Sequence, residues 1–109
     1  MGEIYWVHRD PGQGSEIRKT RPGLVVSNDL NNVHASTVTV LPITTEPSPP
    51  RAFEVPLLPG TCGNKETAKA KASQIRTVDK VRLGDLLGAV PPAAMSLADA
   101  AMKLHLGMG

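Results

Sequence analysis

Residues 3–9 alternate, placing Ile4, Trp6 and His8 on one side and Tyr5, Val7 and Arg9 on the other, in a run of strong strand formers. This pattern predicts a first strand. Asp10, Pro11, Gly12 and Gly14 then supply turn residues, so 14–20 reads as an exposed loop. Pro22 and Gly23 open a second strand over 24–28, whose Leu24-Val25-Val26 run suits burial on both faces, and Asn28, Asp29, Asn31 and Asn32 mark the next turn. Residues 37–44 are β-branched and apolar and predict a third strand, with Pro42 near an edge or a bulge. The stretch 46–51 holds three prolines and cannot sustain ladder hydrogen bonds, so strand character resumes only at 53–57.

Further along, Ala68, Ala70 and Ala72 alternate with Lys69, Lys71 and Ser73 at strand period, although Ala and Lys individually favour helix; the period favours a strand over 67–77. A helical turn over 79–83 and a short strand over 88–90 follow, ended by Pro91-Pro92. Ser96, with Asp99 three residues on, fits a helix N-cap, and the body 97–106 carries Leu97, Ala98, Ala101 and Leu104 on one stripe before Gly107 as C-cap. The sum is one domain over 1–109: a small, strongly turned antiparallel sheet, read as a half-open barrel, covered by a C-terminal helix.

Composition narrows this picture. Ten Gly, ten Pro and only three aromatics in 109 residues exclude a large aromatic helical bundle and leave a modest core of Val, Leu, Ile and Ala. One cysteine, Cys62, allows no internal disulfide, and no neighbouring Cys or His completes a zinc site. No apolar run reaches the roughly 18 residues of a membrane span, and the start does not resemble a signal peptide, so a cytoplasmic protein is expected. The net charge is +2, but residues 61–109 hold seven basic and four acidic side chains, and six of the basic ones fall between Lys65 and Arg82. Such an excess either solvates an edge or attracts a polyanion.

Most enzyme motifs are missing: there is no G-x-S-x-G, phosphate-binding loop, H-E-x-x-H or C-x-x-C. Nothing in the spacing pairs His8 with His34, and His105 suits a helix C-terminus. Arg18, Lys19 and Arg21 precede a strand, and Pro22 restricts the backbone of Arg21 to extended values, which fixes where its guanidinium leaves the sheet. A fork held this way suits bidentate phosphate contact, or a surface ion pair with Glu16 or Asp29.

Six blocks occur in order: GEIYWV from Gly2, GSE from Gly14, RPGLVVSND from Arg21, PITT from Pro42, FEV from Phe53 and QIRTVDKVRL from Gln74. Together they resemble the MazF/PemK family of toxin endoribonucleases. The resemblance implies a small SH3-like antiparallel β-barrel with a C-terminal helix, assembled as a homodimer with an RNA groove along its interface. It implies cleavage of single-stranded RNA without metal or cofactor, by attack of a ribose 2′-hydroxyl that leaves a 2′,3′-cyclic phosphate and a 5′-hydroxyl.

By position, Arg21 and Thr44 match the family's two catalytic residues. Arg21 has the chemistry to stabilise charge building on phosphate oxygens, whereas a threonine hydroxyl is a poor free base and suits hydrogen bonding to the phosphate or the attacking hydroxyl. If the third strand is regular, Thr45 points away from the groove. Asn28, Ser73 and Gln74 match positions close to the substrate, and Arg18, Lys19, Lys69, Lys71 and Arg76 are expected to contact phosphates. An antitoxin with a flexible acidic tail is the expected protein partner, competing with RNA for the groove. The alternatives are a gyrase-binding toxin of the related CcdB type, or an interaction module whose nuclease activity has decayed.

Overall fold

The computed structural model describes residues 1–8, 20–61 and 63–108. Among these residues, seven strands and two α-helices follow one another: β1 (Glu3–His8), β2 (Thr20–Val25), α1 (Asp29–His34), β3 (Thr37–Thr44), β4 (Glu54–Leu57), β5 (Ala68–Lys71), β6 (Arg76–Asp79), β7 (Leu83–Ala89) and α2 (Pro92–Leu106). Single 3-10 turns, Ala72–Gln74 and Lys80–Arg82, flank β6. The strands pair antiparallel in the order β4-β5-β3-β2-β1-β7, with β6 also on β3. β4 and β7, at the two ends, do not pair with each other, so the sheet is not closed. Among the described residues, no helix is long and apolar enough to cross a membrane.

β3 is the organising strand. One side pairs with β2; the other pairs first with β6, up to Val40 opposite Arg76, and then with β5, from Ile43 opposite Ala70. Pro42, which has no N–H to give, sits in the gap between those two partners, so its missing donor breaks no ladder bond there. The strand expected over 67–77 is therefore two strands. The 3-10 turn at Ala72–Gln74 separates them and carries Ala72 into the core.

The two faces of the sheet bury separate clusters. On one, Ile4, Leu24, Leu41, Ile43 and Leu57 pack beneath Ala94, Ala98 and Ala101 of α2. On the other, Val25, Val38, Val40 and Val78 form a smaller cluster edged by Tyr5, Val7 and Leu83. Fully burying a Leu or Val contributes about 1.5–3 kcal/mol each, so the first cluster dominates the hydrophobic stabilisation.

Several boundaries differ from the sequence pattern. α2 begins at Pro92, with Pro91 as its N-cap, because proline suits the first helical position, where its missing N–H is unpaired in any case. Its core-facing stripe is Ala94, Ala98 and Ala101, spaced to let the helix approach the sheet closely, while Leu97 and Leu104 stay 54% and 59% exposed. Gly107 closes the helix with φ 69°, as expected of a C-cap. The expected turn after β2 is the short helix α1, and β7 starts at Leu83 rather than Gly88. β2 begins four residues before Leu24, so Arg21 lies within a strand.

Candidate active site

The register of β1 against β2 places Val7 opposite Arg21 and His8 opposite Thr20. Directly opposed residues share a face, so Arg21 projects on the side of the smaller valine cluster, with Val7 and Gly23 as neighbours. That crowding needs glycine at 23: a Cβ there would come 2.9 Å from Val7 Cγ2. A cavity of about 380 Å³ opens at this point, with Arg21, Val40, Pro42, Gln74, Arg76 and His8 in its wall. A second, of about 360 Å³, shares Arg21 and Pro22 and continues past Trp6 to Thr44 and Thr45. Arg21 thus stands between the two hollows, with Arg76 and Gln74 on one flank and Thr44 on the other.

The Arg21 guanidinium has no hydrogen bond or ion pair among the described residues. Asp29, one candidate to neutralise it, instead pairs with the terminal amine at 2.6 Å; Glu16, the other candidate, lies outside the described residues, as do Arg18 and Lys19. The Thr44 hydroxyl accepts the Glu46 N–H at 3.2 Å, which occupies a lone pair and leaves its own hydrogen to donate. His8 Nδ1 lies 3.1 Å from Thr20 Oγ1. That cross-strand pair, beside Arg21, was invisible in the spacing because the strand register is not written in either segment alone. Both Thr44 and Thr45 line the second cavity, which wraps the end of β3, so Thr45 is not turned away as strict alternation requires.

The basic segment divides. Arg76 is exposed and lines the first cavity with Gln74. Lys69 does not face it: the residue is 2% exposed, its Nζ donates to the Ser48 carbonyl and hydroxyl at 2.8 and 3.0 Å, and it lies 3.5 Å from Glu54 and 3.6 Å from Glu46. Lys69, expected to contact phosphate, is brought to neither cavity, because its ammonium is enclosed by the chain's own acceptors. Lys71 reaches Glu54 Oε2 at 3.8 Å and lines neither cavity. Asn28 is an N-cap, its side-chain oxygen accepting the Asn31 N–H at 2.8 Å, and lies beyond the far end of β2 from Arg21. Ser73 is exposed on the 3-10 turn but lines neither cavity.

The electrostatics around Lys69 follow from these contacts. The Glu46 carboxyl is held below its ordinary range mainly by the Ser48 hydroxyl, then by Lys69 and Lys71. Glu54 is lowered chiefly by the Arg51 N–H, which donates to it at 2.9 Å, and further by Lys69, against the opposing effect of burial.

Comparison with known proteins identifies this arrangement. The profile of PemK-like, MazF-like toxins of type II toxin–antitoxin systems matches residues 1–106. The chain belongs to this family. It is 39% identical to Endoribonuclease MazF9 of Mycobacterium tuberculosis, covering 98% of this chain and 95% of that protein, and 31% identical to Endoribonuclease toxin MazF of Escherichia coli K12, covering 98% and 93%. Among solved structures, a mycobacterial endoribonuclease in complex with its cognate antitoxin superposes with a TM-score of 0.80 at 31% identity, covering 99% of this chain and 94% of that one. The fold expected from the sequence, a small SH3-like antiparallel β-barrel of MazF type with a C-terminal helix, is the fold observed, except that the sheet is not closed. The CcdB-type alternative gains nothing from these relatives, which are named as endoribonucleases.

Proposed function

We propose that this chain is a sequence-selective endoribonuclease toxin that cleaves single-stranded RNA, acting in the cytoplasm as a homodimer and neutralised by a cognate antitoxin. The observation that carries this reading is Arg21, a guanidinium without a carboxylate partner among the described residues, standing between two hollows with Thr44 in the wall of one and Arg76 in the wall of the other. In the proposed reaction, the 2′-oxygen bonds to the adjacent phosphorus and the bond to the 5′-oxygen breaks. The 2′-hydroxyl proton passes to water, the leaving oxygen takes one from water, and the products are a 2′,3′-cyclic phosphate and a 5′-hydroxyl. Arg21 donates to the non-bridging oxygens as their charge grows, a preorganised role that costs no reorganisation at the moment of reaction. Thr44, with one lone pair held by the Glu46 N–H, donates its hydrogen to the phosphate or orients the attacking hydroxyl.

Arg76 and Gln74 are proposed to hold the adjoining nucleotide, the arginine on phosphate and the amide on a base edge, with Arg18 and Lys19 adding phosphate contacts. Two-fold pairing is supported by apolar side chains left at the surface, Leu86, Leu97, Leu104 and Leu106, each more than half exposed. An acidic antitoxin segment would meet Arg21 and Arg76 in place of RNA. Incubating the purified protein with long single-stranded RNA in EDTA and mapping the cut sites tests the proposal: discrete cuts are expected, and intact RNA would refute it.

A further inference from the structure

β3 ends at Thr44, and the residues after it have few means of being held. Pro47, Pro49 and Pro50 carry no N–H, so the segment cannot extend the ladder. What holds it is Lys69. This residue stands directly opposite Thr44 in the β3–β5 pairing, and its ammonium donates to both the carbonyl and the hydroxyl of Ser48 while lying within ion-pair distance of Glu46. The Ser48 hydroxyl in turn donates to Glu46 Oε1. Glu46 is the residue whose N–H donates to Thr44 Oγ1. A continuous set of contacts therefore runs from one buried ammonium, through two residues of a proline-rich segment, to the hydroxyl in the wall of the second cavity.

We propose that Lys69 is a positioning residue for Thr44: by anchoring residues 46–48 it aims the Glu46 N–H at Oγ1 and so turns the hydroxyl hydrogen toward the scissile phosphate. This inference rests on the reading that Thr44 acts in RNA cleavage. Glu54, 3.5 Å from the same ammonium, keeps the charge compensated from the β4 side, so the loop contacts are free to serve geometry rather than only to neutralise the cation. Misplacing a reacting group by about 1 Å can cost on the order of 100-fold in rate, which sets the scale of the expected effect.

The test is single-turnover cleavage of a ribo-oligonucleotide containing a mapped site, by the full chain and by Lys69→Met, Thr44→Ala and the double variant. Lys69→Met should cleave about 10- to 100-fold more slowly, with KM unchanged. It should also leave unchanged the salt dependence of binding to the 2′-deoxy analogue. In the Thr44→Ala background the same change should alter the residual rate by less than about twofold, since there is no hydroxyl left to aim. Should Lys69→Met not fold, Glu46→Ala with Ser48→Ala, which keeps the Lys69–Glu54 pair, should show the same pattern at about 3- to 10-fold. A wild-type rate in Lys69→Met overturns the proposal. So does an equal loss in both backgrounds, which marks a purely structural residue, or a salt slope shallower by about 0.7, which marks a phosphate contact. Thr44→Ala is measured by itself: a wild-type rate there removes Thr44 from the reaction, and is distinct from a failure of Lys69 alone.

Discussion

Two groups of cations lie on the strands that flank β3, and they are used in opposite ways. Arg21 and Arg76 line a hollow against a small valine cluster, without a carboxylate partner among the described residues. Lys69 and Lys71, one strand away on β5, face Glu54, and Lys69 also reaches Glu46 and Ser48. In linear sequence the two lysines look more like a polyanion-binding stretch than the two arginines do. Charge acts on a ligand only where the fold leaves it uncompensated, and that depends on where the acids fall in three dimensions.

Arg21→Ala is expected to have the largest effect. Removing one preorganised donor to a developing anion costs about 100- to 1,000-fold in turnover, and because Arg21 is exposed the variant should unfold at nearly the wild-type urea concentration. Retention of more than a third of the rate in a folded variant would place the chemistry elsewhere. In the lysine group, Glu54→Ala should act on stability instead. Taking one partner from a buried ion pair leaves the ammonium undercompensated, and about 3 kcal/mol is expected, the low end for such pairs because Ser48 and Glu46 remain. Urea unfolding reads this directly, and an unchanged midpoint would show that Lys69 is not held as described.

Smaller effects separate the cations one by one. Arg76→Ala should make the slope of log affinity against log salt shallower by about 0.7, one phosphate on a single strand, whereas Lys71→Ala should leave the slope within error. Equal changes in both would erase the distinction between the two groups. The weakest effect is on pH dependence. Glu54 has a folded-state carboxyl pKa below its ordinary 4.5, so its contribution to stability is complete above that value and is lost as the pH falls through the lowered folded value. Below about pH 4.5 the melting temperature of the wild type should therefore fall more steeply than that of Glu54→Gln, and parallel curves would contradict the assignment.

Both ends of β3 were readable, because a run of mostly β-branched and apolar residues starts at Thr37 and gives way to the proline-rich stretch just after Thr45. The break between β5 and β6 was not readable: the Ala-Lys-Ala-Lys-Ala-Ser alternation passes through the 3-10 turn without a glycine or proline to mark it. Pro91-Pro92 was misleading for a definite reason, since proline both ends a strand and opens a helix. At the candidate site, the R-P block pointed to Arg21 and the resemblance of the I-T-T block pointed to Thr44, and both line the second cavity. Lys69 went astray because strand alternation assigns it to an outward face, and the acids that enclose that face lie 15 and 23 residues earlier in the chain. Asn28 was placed near substrate by its block, but its side chain is spent on capping α1.

The proposed chemistry of the hollow around Arg21 and Thr44 is cleavage of RNA by internal attack of a 2′-hydroxyl. It is tested most directly with two oligonucleotides that differ only in that hydroxyl at the mapped cut. The all-ribose strand should be cut to fragments ending in a 2′,3′-cyclic phosphate and a 5′-hydroxyl, and the strand lacking the single hydroxyl should bind with the same salt dependence and remain intact. Cleavage of the deoxy-substituted strand, or 5′-phosphate ends on the ribose products, would contradict it.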